Sequence, residues 1–383
     1  MTPSDRAVAA AGAALVDAGT IAAIETATVS LHADPKLLVR GARGTHARSE
    51  FVLVRIQTSL GVIGYGEVSA TPRWSGEDAD SATHFVRDVL APALVGEPLQ
   101  SVPGLRGRME LALAGNPFTK AGVDTALWDA RARTLGVRVV DLLGGPRRTE
   151  VPTKMSISGD GDVLAGTLEE IRSRGFRSFK VKVGTGHDRD VARFRLAREL
   201  AGEEAFLGAD ANGGWTRSEA MRTVRDLERF RPAFIEQPVA PHDLAGMRQV
   251  RTLGLSVVAD ESVYGPEDVA GVIRAEAADV VSVYVGMAGG LGRAVQAIET
   301  ANLFGLDALI GSNGEFGVGA AAQVHVACAV ERLSPFPSDI IGHHYYDEDV
   351  LESPVSINGL VARLPDGPGL GVEPNAQVRA RFA

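Results

Sequence analysis

The chain has one cysteine, Cys328, and so cannot build an intrachain disulfide framework. That cysteine lies in the apolar run 324–330, where it reads as a small core residue rather than a nucleophile. No stretch approaches the ~18 to 20 uninterrupted apolar residues that a membrane span requires. No block of Lys or Arg stands out and the formal net charge is -9, so the electrostatic footprint of a nucleic-acid or acidic-membrane binder is missing. Lysine is absent from every position after Lys182. Segment 1–20 is Ala-rich, but Asp5, Arg6 and Asp17 interrupt it and no basic stretch precedes a clean apolar core. It is expected to be a loose tail or short helix rather than an export signal, which with the lone cysteine points to a cytoplasmic protein.

What remains, 383 residues at 45% hydrophobic and 23% charged, is globular composition with ample material for a large core. From about residue 150 the chain alternates short apolar runs with amphipathic stretches. Strands are expected at 151–158, 178–183, 205–210, 233–236, 256–260, 279–285, 307–311 and 339–343. Helices are expected at 167–174, 188–201, 218–230, 244–253, 266–275, 293–304 and 320–333. This alternation predicts βαβ units on a parallel sheet, and eight strands fit a closed (β/α)8 barrel, with an open doubly wound sheet as the alternative. The cluster GMAGGLG at 286–292 lacks a dinucleotide fingerprint and reads as a tight turn. Before residue 150, alternating runs at 24–32, 50–56 and 62–68 and a helical stretch at 121–135 predict an α+β domain. The expected division is 1–20 tail, 21–148 α+β capping domain, 149–350 barrel, and 351–383 a C-terminal segment packing back on the cap.

Three successive strands end in an acid: LGADANGGW gives Asp210, FIEQP gives Glu236, and VVADES gives Asp260, followed by Glu261. In a barrel the C-terminal strand ends ring one mouth, so these carboxylates converge there. Their repulsion is resolved by a hard divalent cation, and carboxylates with water and substrate oxygens make the ligand set that Mg2+ prefers. Taken singly, each acid is equally a solvated loop carboxylate or a helix cap. The preceding strand, FKVKVG, carries Lys180 and Lys182 at i and i+2, which places both on one face. They are expected to face the acids across the mouth. A lysine beside a second lysine and a cation has its charged form disfavoured, so its pKa should fall and make it a base near neutrality. A base beside such a cation suits removal of the proton next to a substrate carboxylate.

Taken together these motifs resemble the enolase superfamily, and within it the muconate-cycloisomerase-like subgroup. The resemblance runs through Gly64-Tyr65-Gly66-Glu67, then AGVDTALWDARARTLG and DLLGG within 121–145, FKVKVG, DAN, IEQP, ADES, Gly289-Gly290, and PDGPGLGVE at 365–373. It implies a capping α+β domain over a modified (β/α)8 TIM barrel, with Asp210, Glu236 and Asp260 holding Mg2+, Lys182 as acid/base and Lys180 as its electrostatic partner. It also implies a homo-oligomer, commonly a dimer or octamer, acting on a small-molecule carboxylate. Members of the subgroup usually carry a second catalytic lysine at the end of the sixth strand; here DVVSVYVGMAGG puts Tyr284 there. Racemisation by two opposed lysines is therefore disfavoured, while a one-base cycloisomerisation or β-elimination stays open. Tyr284 then either donates a proton or hydrogen bond to substrate or fills space.

On the substrate side the resemblance points to Glu315 near the substrate carboxylate, with Asn212 and Glu261 close by. It also makes 38–49, LVRGARGTHARS, a covering loop whose Arg40, Arg43, His46 and Arg48 either grip a second carboxylate or a polyhydroxy acid or form a solvated basic face, with Trp74 lining the same lid. His343 and His344 either reach the mouth from the eighth strand or serve structure. The leading expectation is an isomerase or lyase on a diacid or hydroxy acid. Its alternatives are an acid-sugar or hydroxy-acid dehydratase of the same superfamily, a Schiff-base aldolase, and a degenerate barrel that binds an acid without turning it over.

Overall fold

The computed structural model describes residues 18–69, 71–346 and 348–382, without the His46 side chain. The tail expected at 1–20 lies almost wholly outside them. The first part of the chain forms an antiparallel sheet of Ile21–His32, Arg48–Thr58 and Ile63–Val68, with the middle segment in sequence at its centre. The long helix Pro117–Leu135 lies on this sheet, and the GYGE motif explains how closely. A Cβ on Gly66 would sit 1.9 Å from the Gly122 carbonyl oxygen, so only glycine admits the contact.

Seven parallel strands follow in sequential order: Met155–Ile157, Ser178–Lys182, Phe206–Asp210, Ile235–Glu236, Val257–Ala259, Val280–Val283 and Asp307–Ile310. We number them first to seventh. The helices expected between them all form, from Asp162–Ser173 to Gly317–Ala329. Outward strand residues such as Val181, Ala209 and Val257 join the main core beneath the helices. Inward Phe234, Val258, Val280 and Leu309 plug the barrel below the mouth. The alternation of faces therefore assigns each apolar strand residue to one of two cores.

Two strand expectations change. The run 151–158 divides: Glu150–Pro152 pairs antiparallel with Val361–Arg363 of the C-terminal segment, and only Met155–Ile157 enters the barrel. The eighth strand, expected at 339–343, shrinks to the link Ser338–Asp339. There Asp339 N donates to Ile310 O at 2.8 Å, Ser338 N to Pro152 O at 2.8 Å, and Lys154 N to Ser338 O at 2.9 Å, which closes the barrel. Gly342–Tyr345 then turns as a 3-10 helix. His344 is carried away from the mouth, with Nε2 donating to Ile357 O at 3.0 Å and its ring edge-on to Phe176.

The C-terminal segment returns to the cap, where Leu370 N donates to Asp129 Oδ1 at 2.7 Å and Arg133 pairs with Glu373. Cys328 is fully buried and its thiol is pushed up to about 11 by that burial, as an inert core residue requires. No helix among the described residues is long and apolar enough to cross a membrane.

Candidate active site

Strand register brings the site together. Lys182 lies beside Asp210, and Asp210 beside Glu236, on neighbouring strands, all at the C-terminal edge of the barrel. Lys182 Nζ donates to Asp210 Oδ2 at 2.7 Å and to Asn212 Oδ1 at 3.1 Å. Lys180 Nζ donates to Glu236 Oε1 at 2.7 Å and Asp339 Oδ2 at 3.1 Å, and lies 3.5 Å from Asp210 Oδ2. Asn212 Nδ2 reaches Glu261 Oε1 at 3.2 Å. In a closed eight-membered ring the second and sixth strands oppose each other, so Tyr284, directly after the sixth, stands across from Lys182. Its hydroxyl donates to Asp260 Oδ2 at 2.9 Å.

Above these groups is a cavity of about 550 Å³ whose wall includes Lys180, Lys182, Asn212, Tyr284 and Asp339 from the barrel and Arg43, Arg48, Arg73 and Trp74 from the cap. Arg43 stacks over the Trp74 ring at 4.7 Å, with its Nε 3.4 Å from Glu261 Oε1. Arg40 does not line the cavity; its backbone N–H is held by Ser158 Oγ instead. Glu315 is also kept off the wall. Its carboxylate accepts from Ser312 Oγ at 2.6 Å, Asn313 N at 2.9 Å, Gln323 Nε2 at 3.0 Å and Ser69 Oγ at 3.2 Å. Those bonds consume its acceptors and shape the 312–314 loop that does face the cavity. A larger cavity of about 640 Å³, with Arg106, Lys120 and Arg293 on its wall, lies between cap and barrel helices and shares no residue with the mouth.

The sequence expectation set a cation beside the lysines; among the chain's own groups, the acids govern the electrostatics. Burial, the largest single influence, would lower the Lys182 pKa, but Asp210 and Glu236 together more than offset it, and the net displacement is upward. Burial likewise opposes the charge on Lys180, yet Asp339, Glu236 and Asp210 hold its pKa well above the ordinary lysine value. Among the acids, Asp210 is drawn down to about 2 because the two ammoniums outweigh its burial. Glu236 and Asp260 are pushed up by burial and by neighbouring carboxylates. Lysine repulsion, one half of that expectation, is here the smaller effect because each ammonium contacts a carboxylate directly.

The fit of a divalent cation can be judged from the acids themselves. Asp210, Glu236 and Asp260 are fully buried, and Glu236 Oε2, Asp260 Oδ1 and Glu261 Oε2 have no hydrogen-bond partner. Buried, unpartnered carboxylate oxygens are costly unless something positive meets them. The donor set is oxygen throughout, which suits Mg2+. Among the described residues no three such side chains already converge as a chelate, and Lys180 Nζ holds Glu236 and Asp210 to itself. The residues therefore fit the ion in chemistry, with the lysines as its competitors.

Two members of the site escaped sequence reading. Lys154 and Asp339 form a buried pair at 2.8 Å directly beneath Lys180. The period of two along 154, 156 and 158 points Lys154 inward, and that signal was present in VPTKMSIS.

Comparison with known proteins agrees with this architecture. Residues 23–144 match the N-terminal domain of mandelate racemase and muconate lactonizing enzyme, and residues 163–378 match the enolase C-terminal-domain-like model. Muconate cycloisomerase 1 of Rhodococcus opacus is 34% identical, over 85% of this chain and 88% of that protein. The N-succinyl-L-Arg/Lys racemase of Bacillus cereus is 31% identical, over 87% and 90%. The dipeptide epimerase of Cytophaga hutchinsonii, solved with Mg and the dipeptide D-Ala-L-Val, superposes with a TM-score of 0.89 at 26% identity over 95% of this chain and 98% of that one. These relatives are isomerases. With both parts of the chain matched in order, it belongs to the mandelate racemase/muconate lactonizing enzyme family of the enolase superfamily.

Proposed function

We propose that the protein is a Mg2+-dependent isomerase of the muconate cycloisomerase kind, or a lyase, which removes the proton α to a carboxylate of a diacid or hydroxy acid with a single base. The observation that carries this reading is the asymmetry of the mouth: Lys182 Nζ on one side, and on the other a tyrosine whose proton is already given to Asp260. Asp210, Glu236 and Asp260 would hold the cation, with Glu261 beside them. Once bound, the ion would relieve the acids' repulsion and favour negative charge on the substrate carboxylate as the proton leaves.

The chain's own groups do the rest. Lys182 Nζ, held toward the cavity by Asn212, takes the proton in its neutral form, the form that its present contact with Asp210 disfavours. Lys180 stays cationic beneath it, fixed by Asp339 and Glu236. Arg43 on Trp74 closes the mouth from the cap and, with Arg73, offers guanidinium groups to a second carboxylate, while the Arg48 guanidinium is tied to Ser30 and Glu50. A one-base site delivers and removes protons from one face, which supports cycloisomerisation or β-elimination over two-base racemisation, although racemases and epimerases are among the relatives.

The test is proton NMR in D2O with Mg2+, using a panel of diacids, sugar acids and amino-acid derivatives. Exchange or product formation should occur with one class and fall about a thousandfold in Lys182→Ala, the range expected on losing a general base. Equal exchange in the variant would remove Lys182 from the reaction. Turnover with racemisation at the α-carbon would refute the one-base reading.

A further inference from the structure

Below the two mouth lysines the barrel holds a third. Lys154 is completely buried, with Nζ 2.8 Å from Asp339 Oδ2, 2.6 Å from Pro337 O, and 5.7 Å from the centre of the Phe234 ring. It lines neither the mouth cavity nor any surface, and proton abstraction as described above makes no use of it. A buried ammonium is expensive, so its place needs a reason beyond solubility or packing.

The reason lies in what shares its partner. Asp339 Oδ2 accepts from Lys154 and, at 3.1 Å, from Lys180. Lys180 in turn donates to Glu236 Oε1 at 2.7 Å. The barrel interior thus contains a row of alternating charge, Lys154, Asp339, Lys180, Glu236, running upward from the plug to the acids. An end member of such a row sets how the middle members divide their attention. With Lys154 satisfying Asp339 from below, Lys180 remains shared with Glu236 and Asp210; without it, Asp339 would be left with Lys180 alone and would draw that ammonium down.

We propose that Lys154 is a positioning residue: by neutralising Asp339 it keeps Lys180 against Glu236, and it thereby sets how firmly the acids hold a divalent cation. The second half rests on the magnesium reading above; the first does not. Two measurements separate them. Crystal structures of the metal-free wild type and of Lys154→Met should show Lys180 Nζ leaving Glu236 Oε1 for Asp339. Retention of the wild-type contacts in the variant overturns the proposal.

Calorimetric titration with Mg2+ alone should then show tighter binding in Lys154→Met, by roughly fivefold, because Glu236 has lost its competitor. The double variant Lys154→Met/Asp339→Asn distinguishes placement from net charge. It returns the charge count to that of the wild type but leaves Lys180 with only Glu236 and Asp210 as charged partners, so magnesium should bind more weakly than to the wild type. Equality with the wild type would mean that charge alone acts, and would overturn the positioning role. If Lys154→Met fails to fold, the double variant decides by itself, since it buries no unpaired charge. If the wild type binds no Mg2+, the magnesium reading falls while the crystal comparison still judges Lys154.

Discussion

Tyr284 carries the one-base proposal at the scale of a single side chain. Its ring is buried against the cap core and its hydroxyl is tied to Asp260; burial, and then the carboxylates of Asp260 and Glu236, hold the phenol well above its ordinary pKa. The seventh strand is adapted to it. A Cβ on Gly311 would lie 1.9 Å from Tyr284 Cε1, so the tyrosine and the glycine are one structural choice. A phenol held this way is a hydrogen-bond donor and not a base. Tyr284→Phe should therefore keep Lys182-dependent exchange of the substrate proton within about tenfold, the loss of one polar contact. The measurement is the D2O exchange rate on whichever acid the panel yields. A loss as deep as that of Lys182→Ala would instead make Tyr284 the proton donor of the reaction.

At the scale of elements, the second barrel strand and the helix after it act as one device. Helix His187–Ala201 opens with Asp190, fully buried, which accepts from Gly184 N at 2.9 Å, Thr185 N at 2.9 Å, Gly186 N at 3.1 Å and Trp215 Nε1 at 2.8 Å. One turn on, Arg193 Nη1 donates to Lys182 O at 2.7 Å. The helix thus grips the backbone of Lys182, the proposed base, and ties the loop behind it to the segment after the third strand. Asp190→Ala would orphan four donors, two of them buried, and should cost about 3 kcal/mol in urea unfolding, with a slower exchange rate from a loosened Lys182. Asp190→Asn, which keeps one acceptor oxygen, should lose less; equal losses would assign the effect to charge rather than to the bonds.

Little of this clamp was legible beforehand. The strands that carry Lys182, Asp210 and Glu236 announce themselves because period-two alternation and a terminal acid are local features. Asp190 and Arg193 sit in a helix of ordinary polar appearance, and their partners are fixed only when loop and strand meet. The eighth strand was misplaced for a related reason. The apolar residues Ile340 and Ile341 suggest a strand, but the ladder bonds are made by Ser338 and Asp339, and Gly342 starts a turn. Lys154 was readable from its spacing, yet its meaning depends on Asp339, far along the chain.

Across the whole molecule, the cap, barrel and C-terminal segment are joined by buried side chains that accept backbone N–H groups from another part. Glu67 of the cap accepts from Phe316 N at 3.0 Å and Gly319 N at 2.9 Å in the barrel, and Asp124 accepts from Leu291 N at 2.8 Å. His325 joins all three. From barrel helix Gly317–Ala329, its Nδ1 accepts from Val140 N at 3.0 Å while Nε2–H donates to Leu370 O at 3.1 Å. That pair of bonds requires the neutral ring, and burial lowers its pKa from 6.5 to about 4. The sign follows directly. Between those values the unfolded chain binds a proton that the folded one refuses, so His325 supports the fold fully above pH 6.5 and progressively less as pH falls toward 4. Between pH 7 and pH 5 the loss from this residue should be about 2 kcal/mol. His344, also lowered to about 4 by burial, adds to the same slope, so the informative quantity is a difference. In chemical denaturation at the two pH values, His325→Asn should start less stable at pH 7 but lose about 2 kcal/mol less than the wild type on going to pH 5. If both proteins lose the same amount, the joint among cap, barrel and tail does not depend on a neutral His325, and its two bonds are incidental to how the three parts hold together.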